Sequence, residues 1–372
     1  MSSLPWWGYL LVLGSSLALS LMLVPIAMAV ALRFGFLDRP GPAKGHTEAV
    51  PYLGGAAIVV SFAVVVLVAT ALDPPPSGFL QLAGFIGLGA VLAIVGLFDD
   101  LRGLSPWLRV ALETAAGTAI LAFGNSAHLA GVPGWVNAVL TVAWVVGVTN
   151  AFNLLDNMDG LSAGTVVIAC LAIFGVAALQ HRYLVSALAL ALAGCAAGFL
   201  RANFHPAKIY MGDAGSLFLG FVVAVLLLKL RANGSTRVDI AVILSVPGVA
   251  LFDTALVTVS RVAHRRSPFQ GGRDHTSHRL VKLGMSVPAA VLTIYLAGVL
   301  LGGSAMLMSQ LPAARIGGIA GLLGAAAIAA VPLARVRVYD QSSAARTAPL
   351  TGEVPGPTNP GTASPSITPQ AP

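Results

Sequence analysis

Eleven apolar runs constrain this chain more than any other feature, each near the ~20 residues an α-helix needs to cross a hydrocarbon layer. They fall at about 7–32, 51–72, 79–98, 107–124, 135–152, 162–179, 183–200, 214–230, 238–260, 286–308 and 314–334. The segments between them cannot supply a water-soluble surface. Asp, Glu, Lys and Arg make up 9% of the 372 residues, against roughly a quarter in ordinary globular proteins. Mean hydropathy is +0.86. The chain therefore reads as an all-α polytopic membrane protein of about eleven transmembrane helices, with a catalytic domain over 1–335. Residues 336–372 are rich in Pro, Ser, Thr and Gly and read as a disordered tail. The first run follows Trp6-Trp7 without a basic flank and is expected to stay as a span. The same composition excludes a disordered chain, a disulfide scaffold and a nucleic-acid module. Cys170 and Cys195 lie in apolar runs and read as small core residues.

Orientation follows from the positive charges. Alternate loops at 33–50, 99–109, 201–212 and 261–285, together with the tail, carry sixteen Lys and Arg, and the opposite set carries five. The positive-inside rule puts the first set in the cytoplasm, the N-terminus outside and the C-terminus inside. The 229–237 loop runs against this pattern, with three basic residues on the outer side. The net charge of +7 is spread over loops, which suits a lipid bilayer and phosphorylated substrates rather than nucleic acid.

The carboxylates sort to the same face. Asp38, Glu48, Asp99, Asp100, Asp156, Asp159, Asp213 and Asp274 fall in or beside cytoplasmic segments, and Asp73 and Asp239 lie outside. Glu113 and Asp253 sit within spans, where an ionised group needs a partner. An anion transporter would place its charges mid-membrane in matched halves, and only these two qualify. One charged face suits an enzyme that meets a soluble substrate and a lipid substrate there.

Four segments carry the chemistry. Asp99-Asp100 end the third run, ahead of Ser105-Pro106, which can open the next helix. Adjacent aspartates persist where a cation or basic partner neutralises them, or else form a solvated turn. Asn150, Asn153, Asp156 and Asp159 recur every three residues and would line one drifting face of a helix. They can hold hydroxyls, phosphate or hydrated magnesium, although Asn also bonds between membrane helices. Met211-Gly212-Asp213-Ala214-Gly215-Ser216 offers close backbone approach at its glycines. Asp213 there is either a helix N-cap or a hard oxygen ligand. The longest loop holds Arg265, Arg266, Arg273, His275, His278 and Arg279. It forms an anion-binding surface or a plain positive-inside loop, with too few ligands for zinc.

In order, these segments resemble the polyprenyl-phosphate N-acetylhexosamine-1-phosphate transferases over roughly 35–285. Lys44-Gly45-His46 and Pro51-Tyr52-Leu53-Gly54-Gly55 add a fifth match. The resemblance implies a Mg²⁺-dependent phosphoglycosyl transferase of the bacterial inner membrane with its active site in the cytoplasm. Mn²⁺ is an alternative ion, and a homodimer is compatible. Such an enzyme moves a sugar phosphate from a UDP-N-acetylhexosamine to undecaprenyl or decaprenyl phosphate and starts a cell-envelope glycan such as O-antigen, teichoic-acid linkage or arabinogalactan. The His-x-x-His-Arg-Leu loop is similar to the UDP-GlcNAc branch, and a phospho-MurNAc-pentapeptide translocase is the alternative. The resemblance assigns Asp99, Asp100, Asp156, Asp159, His275, His278 and Arg279 to catalysis. Asp213 and Asp100 would hold metal, and either Asp99 or Asp100 would act on the lipid phosphate. Lys44, His46, Asn150, Asn153, Lys208 and Arg266 would bind substrate. Ser277 stands where relatives often have a further His, and Asn157 where many have Gly.

Overall fold

The structure is a computed structural model. It describes residues 5–39, 48–74, 78–124, 126, 127, 129, 131–230, 240–311 and 314–339. The tail from 340 onward, Asp239, and the substrate-binding candidates Lys44 and His46 lie outside the described residues. One compact unit runs to Val336.

The order is α1 (Trp6–Phe34), a short antiparallel pair β1 (Leu37–Asp38) and β2 (Val50–Pro51), α2 (Gly54–Leu72), α3 (Phe79–Arg102), α4 (Pro106–Ala122) and α5 (Gly134–Leu155). There follow α6 (Leu161–Leu179), α7 (Tyr183–Asn203), α8 (Gly212–Leu228), α9 (Ile240–Ser245), α10 (Gly248–Ala263), α11 (Thr276–Lys282), α12 (Val287–Gln310) and α13 (Ala314–Ala334). This is an all-α membrane protein. Eight of the described helices are long and apolar enough to cross a bilayer. The expected runs at 107–124, 214–230 and 238–260 instead form shorter elements: α4 and α8 of 17 residues each, and the broken pair α9 and α10. Pro247 explains the break, because it lacks a donor and its ring clashes with the carbonyl four residues back.

α8 occupies the centre. It is apolar on every side, and a helix of that kind must be enclosed; every residue from Ala214 to Leu228 is buried. α2, α3 and α5 wrap it, and Phe62, Phe85, Phe218 and Phe221 interlock with ring centroids 5.6–6.5 Å apart. α7 is similarly enclosed between α1 and α6. The outer helices expose Leu10, Leu11, Ile26, Leu80 and Ile94, as lipid contact requires. Ser105 caps α4 by accepting from the Leu108 amide at 3.2 Å, with Pro106 in the first turn.

One contact sets the position of the buried end of α8. The Gly54 and Gly55 amides donate to the Tyr210 and Met211 carbonyls, each at 3.0 Å, and the Tyr210 amide donates to the Pro51 carbonyl at 2.8 Å. A Cβ at Gly55 would overlap the backbone of Gly215, so only glycine permits α2 to meet α8 this closely. Two of the motifs thus hold each other.

Candidate active site

The charged segments gather at one end of the bundle. The two aspartates that close α3 diverge, as neighbours on a helix do. Asp99 turns to α4, where its Oδ2 accepts from Arg109 Nη1 at 2.9 Å, and its Oδ1 accepts from the Leu104 amide at 2.7 Å. Asp100 turns to α8, accepting from the Asp213 amide at 3.0 Å and the Ala214 amide at 3.4 Å. Those amides point out of a helix N-terminus, where a negative group is favoured. A Cβ at Gly212, which adopts φ 68°, would collide with the Asp100 carboxylate. The glycines of this motif therefore admit Asp100 and α2 rather than a ligand. Of the two roles open to Asp213, the capping one falls to Asp100.

Asp213 faces the other way. Its Oδ1 accepts from Asn153 Nδ2 at 2.7 Å, and its Oδ2 accepts from the same Arg109 Nη1 at 3.3 Å. Arg109 therefore joins Asp99 to Asp213 and also lies 3.9 Å from Glu113. Asn153 reaches Ser216 as well, at 2.9 Å. The expected face of four polar residues does not persist. Asn150 donates to Glu113 and to the Val146 carbonyl, so its amide joins α5 to α4 within the bundle. The helix ends at Leu155, and Asp159 is carried away to fasten the segment after α7. Its Oδ2 sits 2.8 Å from His205 Nδ1 and accepts from the Ala207 amide at 3.0 Å. Lys208, on that segment, is exposed.

Asp156 remains beside the cluster. Desolvation, then the charges of Asp213, Asp100 and Asp159, push its carboxyl up to about 8. Burial is the larger cause, and the three like charges add to it.

The basic loop is tied down from both ends. Arg261 on α10 makes a two-pronged buried pair with Asp274, both bonds at 2.8 Å, and donates to the Pro268 carbonyl at 2.7 Å. Asp253, also on α10, accepts from the Thr276 amide at 2.6 Å and contacts His275 Nδ1 at 2.7 Å. Ser277 Oγ donates to Asn157 Oδ1 at 2.5 Å. This bond seats α11 against the segment that carries Asp156 and Asp159. The two departures from the family pattern are thus partners.

Arg279 is placed differently from its expected contact with a diphosphate. It is fully buried and donates to the carbonyls of Asp274 at 2.7 Å and Leu333 at 2.8 Å, and to Ser260 Oγ at 2.9 Å. Its guanidinium holds the loop's own frame. Arg266 is half-buried just beyond α10, its amide donating to the Arg261 carbonyl at 2.8 Å.

His278 packs edge-on to His275, with centroids 6.4 Å apart. Burial, then the nearby His275 and Arg273, push its imidazole down from 6.5 to about 4. It is neutral at pH 7 and can only exchange hydrogen bonds. Because the folded state binds fewer protons than the unfolded one, His278 supports stability above pH 6.5, and that support is lost as pH falls toward 4. Thermal unfolding in detergent should show His278→Gln flattening the decline between those values; an unchanged slope would count against a buried neutral ring.

Among the described residues no three His, Cys, Asp or Glu side chains form a ready-made metal cage. Magnesium commonly takes one or two carboxylates and completes its shell with water and substrate phosphate. The donor set here fits that habit: hard carboxylate oxygens, two of them on a shared guanidinium, beside a carboxyl burdened by like charge. Both Asp100 oxygens serve α8 amides, whereas Asp99 shares Arg109 with Asp213.

Sequence reading missed Arg109 and Asp253 as site residues. Arg109 stands four residues before Glu113, so an intramembrane carboxylate one helical turn from a cation was the available signal. Asp253 offered only its presence within a span.

The profile of Glycosyl transferase family 4 matches residues 82–231. A probable undecaprenyl-phosphate N-acetylglucosaminyl 1-phosphate transferase of Bacillus subtilis is 33% identical, over 79% of this chain and 83% of its own length. A decaprenyl-phosphate N-acetylglucosaminephosphotransferase of Mycolicibacterium smegmatis is 32% identical, over 72% of this chain and 74% of its own. A phospho-N-acetylmuramoyl-pentapeptide-transferase of Heliobacterium modesticaldum is 33% identical over a smaller part, 61% of this chain and 75% of its own. With its motif carboxylates converging on one guanidinium and these relatives spanning most of its helices, the chain belongs to glycosyl transferase family 4, the polyprenyl-phosphate N-acetylhexosamine-1-phosphate transferases.

Proposed function

We propose that this protein transfers N-acetylglucosamine-1-phosphate from UDP-GlcNAc to a polyprenyl phosphate and releases UMP, at the cytoplasmic face of a bacterial inner membrane. One observation carries the reading: Asp99 of α3 and Asp213 of α8 share the Arg109 guanidinium, with Asp100 and Asn153 holding the same helix end. The sixteen-to-five division of positive charge supports the cytoplasmic placement. The relatives named for N-acetylglucosamine phosphate transfer support the donor.

A lipid phosphate oxygen attacks the β-phosphorus, the bond from that phosphorus to the bridging oxygen breaks, and its electron pair leaves with UMP. A phosphate monoester with a second pKa near 6 is already mostly dianionic at pH 7, so the barrier is chiefly repulsion between anions. Magnesium, when bound, would neutralise the diphosphate, and Asp213 with Asp99 would hold it. Asp100 keeps the α8 amides in register beneath them. Arg109 holds Asp99 and Asp213 together and balances their charge. Asp156 lies next to the cluster at the end of α5. His275 and His278, seated against that segment through Ser277, donate hydrogen bonds to the phosphates.

The test is a donor panel with purified protein and polyprenyl phosphate. UMP release with UDP-GlcNAc is the expected outcome, and because one phosphoanhydride replaces another, labelled UMP should exchange into the donor. Consumption of UDP-MurNAc-pentapeptide alone would move the protein to the translocase branch. Solute accumulation in sealed vesicles without chemical change would make it a transporter.

A further inference from the structure

Asp253 is a carboxylate buried within α10, and the reaction as written assigns it nothing. Of its two oxygens, Oδ1 accepts from the Thr276 amide at 2.6 Å and Oδ2 lies 2.7 Å from His275 Nδ1. Both side chains are almost fully buried, at 2% and 5% exposure. A carboxylate can only accept, so Nδ1 is the donor in this bond. Among the described residues no protein partner is recorded for the other ring nitrogen, Nε2. The Ser277–Asn157 bond seats this stretch of α11 against the acidic segment.

We propose that Asp253 is a positioning residue that holds Nδ1 of His275 and so fixes the direction in which the ring presents Nε2 to the phosphate displaced from the donor. This rests on the transfer reaction proposed above. A carboxylate on one ring nitrogen sets the orientation of the other, and a group already held in place binds its substrate without first losing the freedom of the ring. The other charged and titratable groups around His275 are His278 and the buried Arg279 on α11, and Arg273 and Asp274 on the loop, Asp274 being paired with Arg261 of α10.

The experiment is a double-mutant cycle, run on the donor that the wild type consumes. Asp253→Asn keeps the shape and removes the charge. It should lower kcat about a hundredfold and leave KM for the donor within a fewfold. His275→Gln should lower kcat at least as far, and in its background Asp253→Asn should cost nothing further. Thermal unfolding in detergent identifies any variant that fails to fold, and Asp253→Glu, which restores the charge, should return part of kcat. An unchanged kcat, or losses that add in the double variant, would reduce Asp253 to a loop anchor and overturn the proposal. Failure of the wild type to release UMP from UDP-GlcNAc would overturn the proposed function instead, and the cycle on the true donor would still judge the pair.

Discussion

Asp213→Asn should reduce sugar-phosphate transfer by a factor of at least about 10²–10³, the scale on which removal of one well-placed electrostatic group is felt, while the protein stays folded and membrane-inserted. The change is isosteric. Oδ1 still accepts from Asn153, and the backbone amide still donates to Asp100. What disappears is the negative charge facing Arg109, and with it the strongest candidate for a hard oxygen ligand at the reacting phosphates. Turnover and UMP exchange should fall together, because the same transition state serves both directions. The check is product formation by wild type and variant at matched expression. Near-normal turnover would remove Asp213 from the site.

Arg279→Leu should act on stability before it acts on chemistry. The side chain is fully enclosed and donates to two carbonyls and one hydroxyl, those of Asp274, Leu333 and Ser260. Leucine fills part of the volume but leaves those acceptors unmatched, and each buried unsatisfied group costs about 1–3 kcal/mol. A loss of about 3 kcal/mol or more is expected, seen as a lower unfolding temperature in detergent and a less ordered His275 loop. The contrary outcome is equally readable. A variant that unfolds like the wild type yet transfers no sugar phosphate would return Arg279 to the diphosphate.

Much of the architecture was legible because its cause is local. A long apolar run must be a helix in lipid, since every backbone donor and acceptor has to be met within the segment; eight of the runs became helices long and apolar enough to span. Ser105-Pro106 opened α4 as its cap chemistry requires. The gathering of the acidic motifs at one end of the bundle could likewise be read directly. The periodic reading of Asn150, Asn153, Asp156 and Asp159 failed where α5 stops at Leu155. Beyond that point the three-residue spacing no longer sets direction, and Asp159 joins His205 instead. Arg279 misled for a related reason: in a loop full of cations, sequence cannot tell which one faces inward.

The sequence by itself determined that this is a helical membrane protein with four chemistry-bearing segments on one side, because run length, apolarity and charge sign need no partner to take effect. Only the tertiary structure decided the pairings. Arg109 meets Asp213 across 104 positions, Asn157 meets Ser277 across 120, and Asp253 lies under a histidine 22 residues away. Those choices depend on how helices pack, and the packing turns on close approaches such as Gly55 against Gly215, where a single methyl group would separate the elements that build the site.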